Sequence, residues 1–250
     1  MDILLPRRVS GIYVLGYVKS GTNWLCHLLS TALEMSILEP WKRNLPVARP
    51  CVYHMHRFIY LDSIRRRTIY MMRDGRDTVV SKYFHIIREG GLIKKRLEDY
   101  LGRPVRNEDA RTNMAKFISF MQCNRIASVD YRTHIEEWKR HRDKYVTLRY
   151  EDLLADTEGE LARVIVAMAD HDADAEHIRA AVKKHNFTHL TTRKRGEEDR
   201  SSFIRKGICG DWRNHFTIEA GRLYNEYAGE LLVELGYESE PRWWEKLVQA

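Results

Sequence analysis

Apolar runs and helical stripes alternate along the chain. Residues 12–17, Ile-Tyr-Val-Leu-Gly-Tyr, form a short run rich in β-branched and aromatic side chains, which predicts a strand. The period then changes, because Leu25, Leu28, Leu29, Ala32 and Leu33 recur at helical spacing on one face. A small-residue turn, Lys19-Ser-Gly-Thr-Asn23, joins the two. A second run, 68–72, ends in Arg73-Asp-Gly-Arg-Asp77 and leads into an amphipathic stretch carrying Val79, Val80 and Phe84. A third, 145–150, precedes a helix for which Thr157 and Glu160 predict a capping box. Leu161, Val164, Ile165 and Met168 form its buried stripe. Cys51–Met55 adds a shorter fourth strand, residues 112–142 read as helices, and 217–235 reads as a last helix. Between these, 190–210 lacks apolar periodicity, and its charged part, Thr191–Arg200, predicts an exposed, mobile loop.

Strands that are apolar nearly throughout, alternating with helices, predict an α/β fold. Its parallel sheet would be flanked by helices on both faces. A chain of 250 residues with 44% hydrophobic and 31% charged side chains can form one domain with its own core, spanning 1–250. No apolar segment is long enough to cross a membrane, and the start has too short an apolar run for a signal sequence. Cys26, Cys51, Cys123 and Cys209 are far apart and form no Cys-x-x-Cys pair, so neither a zinc knuckle nor a disulfide framework is expected. A reducing, cytoplasmic setting follows as the expectation. The net charge of +7 points to an anionic partner without naming it.

The turn at 19–23 is where that charge acquires chemistry. Backbone N–H groups in a small-residue turn that opens onto a helix make a cradle for an anion. Gly21 supplies backbone freedom, Ser20 and Thr22 supply hydroxyls, and Lys19 supplies a cation. By residue type alone, an ordinary strand-to-helix turn fits equally well. The lysine precedes the glycine, so this is not the Walker pattern of the nucleotide triphosphatases.

Taken whole, Tyr17-Val-Lys-Ser-Gly-Thr-Asn-Trp24 resembles the 5′-phosphosulfate loop of the cytosolic-type sulfotransferases, Tyr-Pro-Lys-Ser-Gly-Thr-Thr-Trp, with Val18 and Asn23 as departures. A second segment, Arg205-Lys-Gly-Ile-Cys-Gly-Asp-Trp-Arg-Asn-His-Phe-Thr217, resembles the family signature Arg-Lys-Gly-x-x-Gly-Asp-Trp-Lys-x-x-Phe-Thr. Arg213 is its one departure among the specified positions. Arg73 with Ser81 eight residues on, and Tyr150-Glu-Asp-Leu153 closing a strand, extend the likeness over about residues 11–217.

The resemblance implies a P-loop-like fold and 3′-phosphoadenosine 5′-phosphosulfate (PAPS) as sulfuryl donor, with a small-molecule hydroxyl or amine as acceptor and no metal required. It implies that Lys19 and the backbone of Ser20, Gly21, Thr22 and Asn23 hold the 5′ side. Arg73, Ser81, Arg205, Lys206 and the amide of Gly207 would clamp the 3′-phosphate, a set suited to bidentate and amide hydrogen bonding. Trp24 and Phe187 would sandwich the adenine and Tyr150 touch its edge. The family places a base two residues after a lysine. Here the stretch reads His54-Met-His56, so His56 aligns with the base and His54 with the lysine, and an active-site cation becomes titratable or absent. His54 is the second candidate for the base.

Blander readings stand beside these. Trp and Phe on helices commonly serve the core, and His-x-His also suits a metal, although no third ligand stands at obvious spacing. Glu136, Glu137, Glu197 and Glu198 read as solvated faces, His134 and His141 as an exposed helix side, and Trp243 with Trp244 as a core cap. The family's dimer motif is degenerate, with Arg222 where an acid belongs, which leaves the oligomeric state open. Rival functions are a catalytically impaired nucleotide-binding relative, a P-loop kinase and a nucleic-acid-binding protein. The kinase needs its lysine after the glycine. Nucleic-acid binding needs cations spread over a face, whereas here they fall into separated motifs, so no nucleic-acid partner is expected. The acceptor loops are sought at 36–50, 85–111 and 190–204, and since 250 residues are compact for this family, the resemblance implies a shortened acceptor loop.

Overall fold

The computed structural model describes residues 11–39, 50–58, 67–124, 130–168 and 173–247. They fall into two compact units, Met1–Arg73 with Trp138–Arg193, and Asp74–Glu137 with Lys194–Ala250.

The first unit holds a five-stranded parallel sheet made of β1 (Ile12–Gly16), β2 (Ser36–Leu38), β3 (Cys51–Met55), β4 (Thr68–Met72) and β5 (Val146–Arg149), ordered β2-β3-β1-β4-β5. Every residue of β1 and β4 is buried. Successive side chains point to opposite faces, so both faces at the centre of the sheet are covered. The four strands expected from apolar runs are present. The three-residue β2 carries too little pattern to be seen in sequence, and it borders only β3. Helix α1 (Thr22–Ala32) follows β1. The chain then supplies β2 and β3 on one side of β1 before crossing to β4 and β5 on the other. That reversal makes the C-terminal end of β1 a topological switch point, where parallel sheets bind ligands.

Gly16 closes β1 tightly. A Cβ there would lie 2.7 Å from the Met71 carbonyl oxygen and 2.8 Å from the Thr22 methyl. Around β4, Tyr70 is fully buried and stacks on Trp138 at 5.5 Å, while the Trp138 indole N–H donates to Thr147 Oγ1 at 3.1 Å.

In the second unit, α2 (Gly75–Glu89), α3 (Gly91–Leu101) and α4 (Ala110–Asn124) come first, and α5 (Tyr131–Arg140) follows, its residues from Trp138 on counted with the first unit. The first unit adds α6 (Tyr150–Ala155), α7 (Thr157–Ala167), α8 (Ala175–His185) and α9 (Phe187–Thr191). The second closes with α10 (Ile218–Glu234), capped by Thr217 and packed on α4. Arg76, 1% exposed, anchors the second unit. It is ion-paired to Asp74 at 2.7 Å and to Glu238, with its guanidinium 3.7 Å above the Trp212 ring. Trp243 packs beside it, as expected of a core cap.

Several local expectations change. The cap of α7 is Asp156, whose carboxylate accepts the Gly159 N–H at 2.9 Å, one residue earlier than the predicted capping box. Thr157 instead donates its hydroxyl back to Leu153 O at 2.8 Å. His134 is buried rather than exposed, because α5 turns it inward with Ile135 and Tyr131. Residues 85–101 of the segment sought as an acceptor loop are the end of α2 and the whole of α3. Residues 40–49 of another lie outside the described residues. The 192–204 segment is a loop, but it is fastened: Gly196 N–H donates to Lys206 O and Asp199 N–H to Arg205 O, each at 3.0 Å. Glu198, expected in solvent, pairs with Arg200 and Arg205.

Candidate active site

The turn between β1 and α1 is closed by Ser20 N–H donating to Tyr17 O at 3.1 Å. Lys19 sits at φ 70° and Gly21 at φ 94°, two left-handed residues within three. For lysine this conformation costs of order 1 kcal/mol, which the surrounding contacts must offset. One such contact is visible: Arg73 Nη1 donates to the Lys19 carbonyl at 3.1 Å. At Gly21 no other residue fits, since a Cβ would lie 2.5 Å from the Tyr150 ring.

Gly21 caps α1, and no side chain caps the helix's first N–H groups. A helix cannot satisfy those groups internally, so they remain available to an anion. Ser20 and Thr22 are buried, at 1% and 3% exposure, and line the turn. The Ser20 amide is engaged by Tyr17. The amides of Gly21, Thr22 and Asn23 follow it into the start of α1. The residues present fit a phosphate or sulfate group: a left-handed glycine, an uncapped helix start and a lysine on the turn.

Two histidines stand at the end of β3. His56 Nδ1 is 2.8 Å from the Gly16 carbonyl oxygen. A carbonyl only accepts, so Nδ1 carries the hydrogen and Nε2 is the basic nitrogen. His54, 6% exposed, places Nε2 2.7 Å from Thr22 Oγ1 and Nδ1 3.7 Å from Glu39 Oε1. Its ring lies edge-on to His56 with centroids 4.8 Å apart. Burial, and then the neighbouring His56, push the His54 imidazole down to about 4 despite Glu39. At neutral pH the position aligned with a lysine is therefore uncharged.

Arg73 and Tyr150, at the ends of β4 and β5, complete this group. The Arg73 guanidinium lies 4.0 Å above the Tyr150 ring, and Trp24 meets that ring in an edge arrangement at 5.9 Å. Trp24 in turn donates its indole N–H to the His185 carbonyl at 2.9 Å. Phe187 is buried two residues further on, beneath the Arg193 guanidinium. Lys19 to Trp24, His54, His56, Arg73 and Tyr150 thus cluster at the C-terminal edge of one sheet, with Phe187 on the helix after His185.

The remaining expected residues belong to the second unit. Ser81 lies on α2. Arg205 Nη2 and Lys206 Nζ both donate to Asp211, at 2.5 and 2.7 Å, and Arg205 also pairs with Glu198. Gly207 adopts φ 65°. Burial raises the Asp211 carboxyl, but hydrogen bonds from His215 and Lys206 and the charge of Arg205 outweigh it and hold the group far below the usual range. The two cations are thus positioned by carboxylates. Asp77 fixes the same loop by accepting the N–H groups of Gly210 at 2.7 Å and Trp212 at 3.0 Å.

Glu39 and Asp77 are the residues that sequence reasoning missed. Glu39 follows an edge strand with no motif around it. Asp77 lies in the conspicuous Arg73–Asp77 run, where only the arginine had an assigned role, and the 133-residue separation from Gly210 hides its partner.

The profile of the family described as the sulfotransferase domain matches residues 41–236, a span that begins after the cradle. Sulfotransferase 2A1 of Macaca fascicularis is 26% identical over 270 residues, covering 94% of this chain and 87% of its own. Human sulfotransferase 2B1 is 25% identical, covering 87% of this chain and 65% of its own. Among solved structures, mouse sulfotransferase SULT7A1 complexed with PAP aligns with a TM-score of 0.67 at 19% identity, covering 96% of this chain and 88% of that one. Retinol dehydratase in complex with androsterone and the inactive cofactor PAP aligns at 0.60 and 18%, covering 91% and 82%. No helix among the described residues is long and apolar enough to cross a membrane.

Proposed function

The chain belongs to the sulfotransferase domain family, and from that premise we propose that it transfers a sulfuryl group from PAPS to a hydroxyl or amine of a small molecule. The observation that carries the reading is the junction of base and cradle. The Gly16 carbonyl that orients His56 ends the strand from which the phosphate turn departs.

The donor supplies an activated sulfuryl group on a phosphate leaving group. Lys19 and the first amides of α1 neutralise charge that builds on the leaving oxygen, which favours the transition state over the ground state. His56, with Nδ1–H held by Gly16, presents Nε2 to take the acceptor's proton. Arg73, Ser81, Arg205, Lys206 and Gly207 are assigned to the 3′-phosphate, and Trp24, Phe187 and Tyr150 to the adenine. Asp211 and Glu198 hold the two clamp cations in place. We read residues 1–250 as one functional domain.

A second reading, a nucleotide-binding relative that transfers nothing, draws on the neutral His54 at the lysine's place. Turnover of labelled PAPS against a panel of phenols, alcohols and amines separates the two. His56→Ala is expected to lower kcat by at least about 100-fold while 3′-phosphoadenosine 5′-phosphate (PAP) still binds. Unchanged turnover in that variant removes His56 from the role of base. Equal affinity for ADP and PAP removes the 3′ clamp.

A further inference from the structure

Carboxylate, imidazole and hydroxyl follow one another toward the cradle. Glu39 Oε1 lies 3.7 Å from His54 Nδ1, and His54 Nε2 lies 2.7 Å from Thr22 Oγ1. Thr22 is the first residue of α1, on the turn assigned to the donor's phosphosulfate. A threonine hydroxyl has one hydrogen to give. Glu39 favours the neutral tautomer with hydrogen on Nδ1, which makes Nε2 an acceptor. Thr22 then spends its hydrogen on His54 and keeps none to give an anion in the cradle. A proton added at Nε2 reverses the direction of the bond. Nε2–H donates to Oγ1, and the Thr22 hydrogen turns to the anion. The imidazolium so formed lies between two negative groups, Glu39 and the ligand.

We propose that Glu39, His54 and Thr22 form a proton-linked relay behind the phosphate cradle, in which His54 takes a proton from solvent as the anion binds. This rests on the donor reading given above. His54 is a positioning residue here, acting through Thr22, and its charge arrives with the ligand.

The groups facing His54 are consistent with this. His56 on its own strand and His27 on α1 disfavour the proton, and Glu39 beyond β2 favours it. The β1 neighbour paired with it, Val14, does not titrate. Without ligand, burial and His56 keep the ring neutral at pH 7, so the proton has to be acquired on binding.

Calorimetric titration of PAP into the full chain, in buffers of different ionisation heat, counts the protons taken up. His54→Lys, a permanent cation at the same place, is the reference. The ligand's own phosphates titrate alike in both proteins. Wild type is expected to take up close to one proton more than His54→Lys at about pH 7. Its affinity should weaken by up to roughly tenfold per pH unit more steeply than that of the variant. Glu39→Gln should reduce the excess uptake. Equal uptake in wild type and His54→Lys overturns the relay while leaving the donor site intact. Absence of PAP binding to wild type at every pH overturns the donor reading and the relay with it. Should His54→Lys not fold, the ¹⁵N shifts of the wild-type His54 ring, with and without PAP, decide the matter. A ring that stays neutral in the complex refutes the proposal.

Discussion

Gly21 is fixed by backbone conformation and by space at once. Its φ of 94° excludes ordinary side chains, and the space a Cβ would need is filled by Tyr150. The Arg73 guanidinium lies 4.0 Å over that ring and Trp24 meets it edge-on at 5.9 Å, so moving it disturbs both contacts. Gly21→Ala is therefore expected to weaken PAP binding at least tenfold and to destabilise the fold by ~2 kcal/mol. Calorimetry and urea unfolding check the two effects separately. The same tyrosine illustrates a limit of motif reasoning. The family pattern assigns Tyr150 to the adenine edge, and the structure gives it a second task, closing the space beside the cradle glycine. Lys19 likewise reads in sequence as a charge alone. In three dimensions it is also a strained residue, whose carbonyl is tied down by Arg73.

At the scale of elements, four strands and the helices with a marked apolar stripe were legible because their periods are strong, whereas the short β2 and the helix α3 were not. β1 and β4 are buried throughout, β3 at Cys51, Val52 and His54, and β5 at Leu148 alone, and α10 begins where Thr217 caps it. Boundaries were less legible where two polar residues compete for one cap. Asp156 and Thr157 stand side by side before α7, and only the carboxylate's geometry to Gly159 decides between them. The loop from 205 to 212 is the element on which the proposed clamp depends, and α2 holds it through Asp77. Asp77→Ala removes a carboxylate that accepts two amides, leaving both without that partner in a mostly buried setting. A cost of ~3 kcal/mol in stability is expected, since hydrogen bonds to charged groups are worth ~1.5–3 kcal/mol. Asp77→Asn, which keeps one accepting oxygen, should recover part of it. If the loop works as a clamp, PAP affinity should fall in parallel. Hydrogen exchange at Gly210 and Trp212 measures the release of the loop directly.

For the molecule as a whole, stability should depend on pH in a definite window. His54 and His185 are each pushed down to about 4, first by burial and then by a neighbouring histidine. Their ordinary value is near 6.5, so the unfolded chain binds protons that the folded chain refuses. Stability from these two is complete above about pH 6.5 and is lost as pH falls toward 4. Below that, Asp211 and Glu198, held low in the folded state, continue the loss as they protonate. A drop of about 3 kcal/mol between pH 7 and 5 is expected for the histidine pair, with solvent screening reducing the His185 share. Urea unfolding at intermediate pH values checks it. The slope should flatten in His185→Gln, and an unchanged slope would show that this ring does not titrate as described.

The chain's local order determined most of what names it. A strand, a Lys-Ser-Gly-Thr turn and a helix are contiguous, and so is the Arg205–Thr217 segment, so backbone preference and residue type suffice to read them. Pairings across distance were decided by the fold alone. Parallel packing brings β3 beside β1 and so seats His56 Nδ1 on the Gly16 carbonyl. The short β2, bordering β3, delivers Glu39 to His54. Tertiary burial removes the charge that a solvated histidine could have carried at mildly acid pH. These outcomes depend on which strands are neighbours and how much water they exclude, quantities that hydrophobic period and motif spacing do not contain.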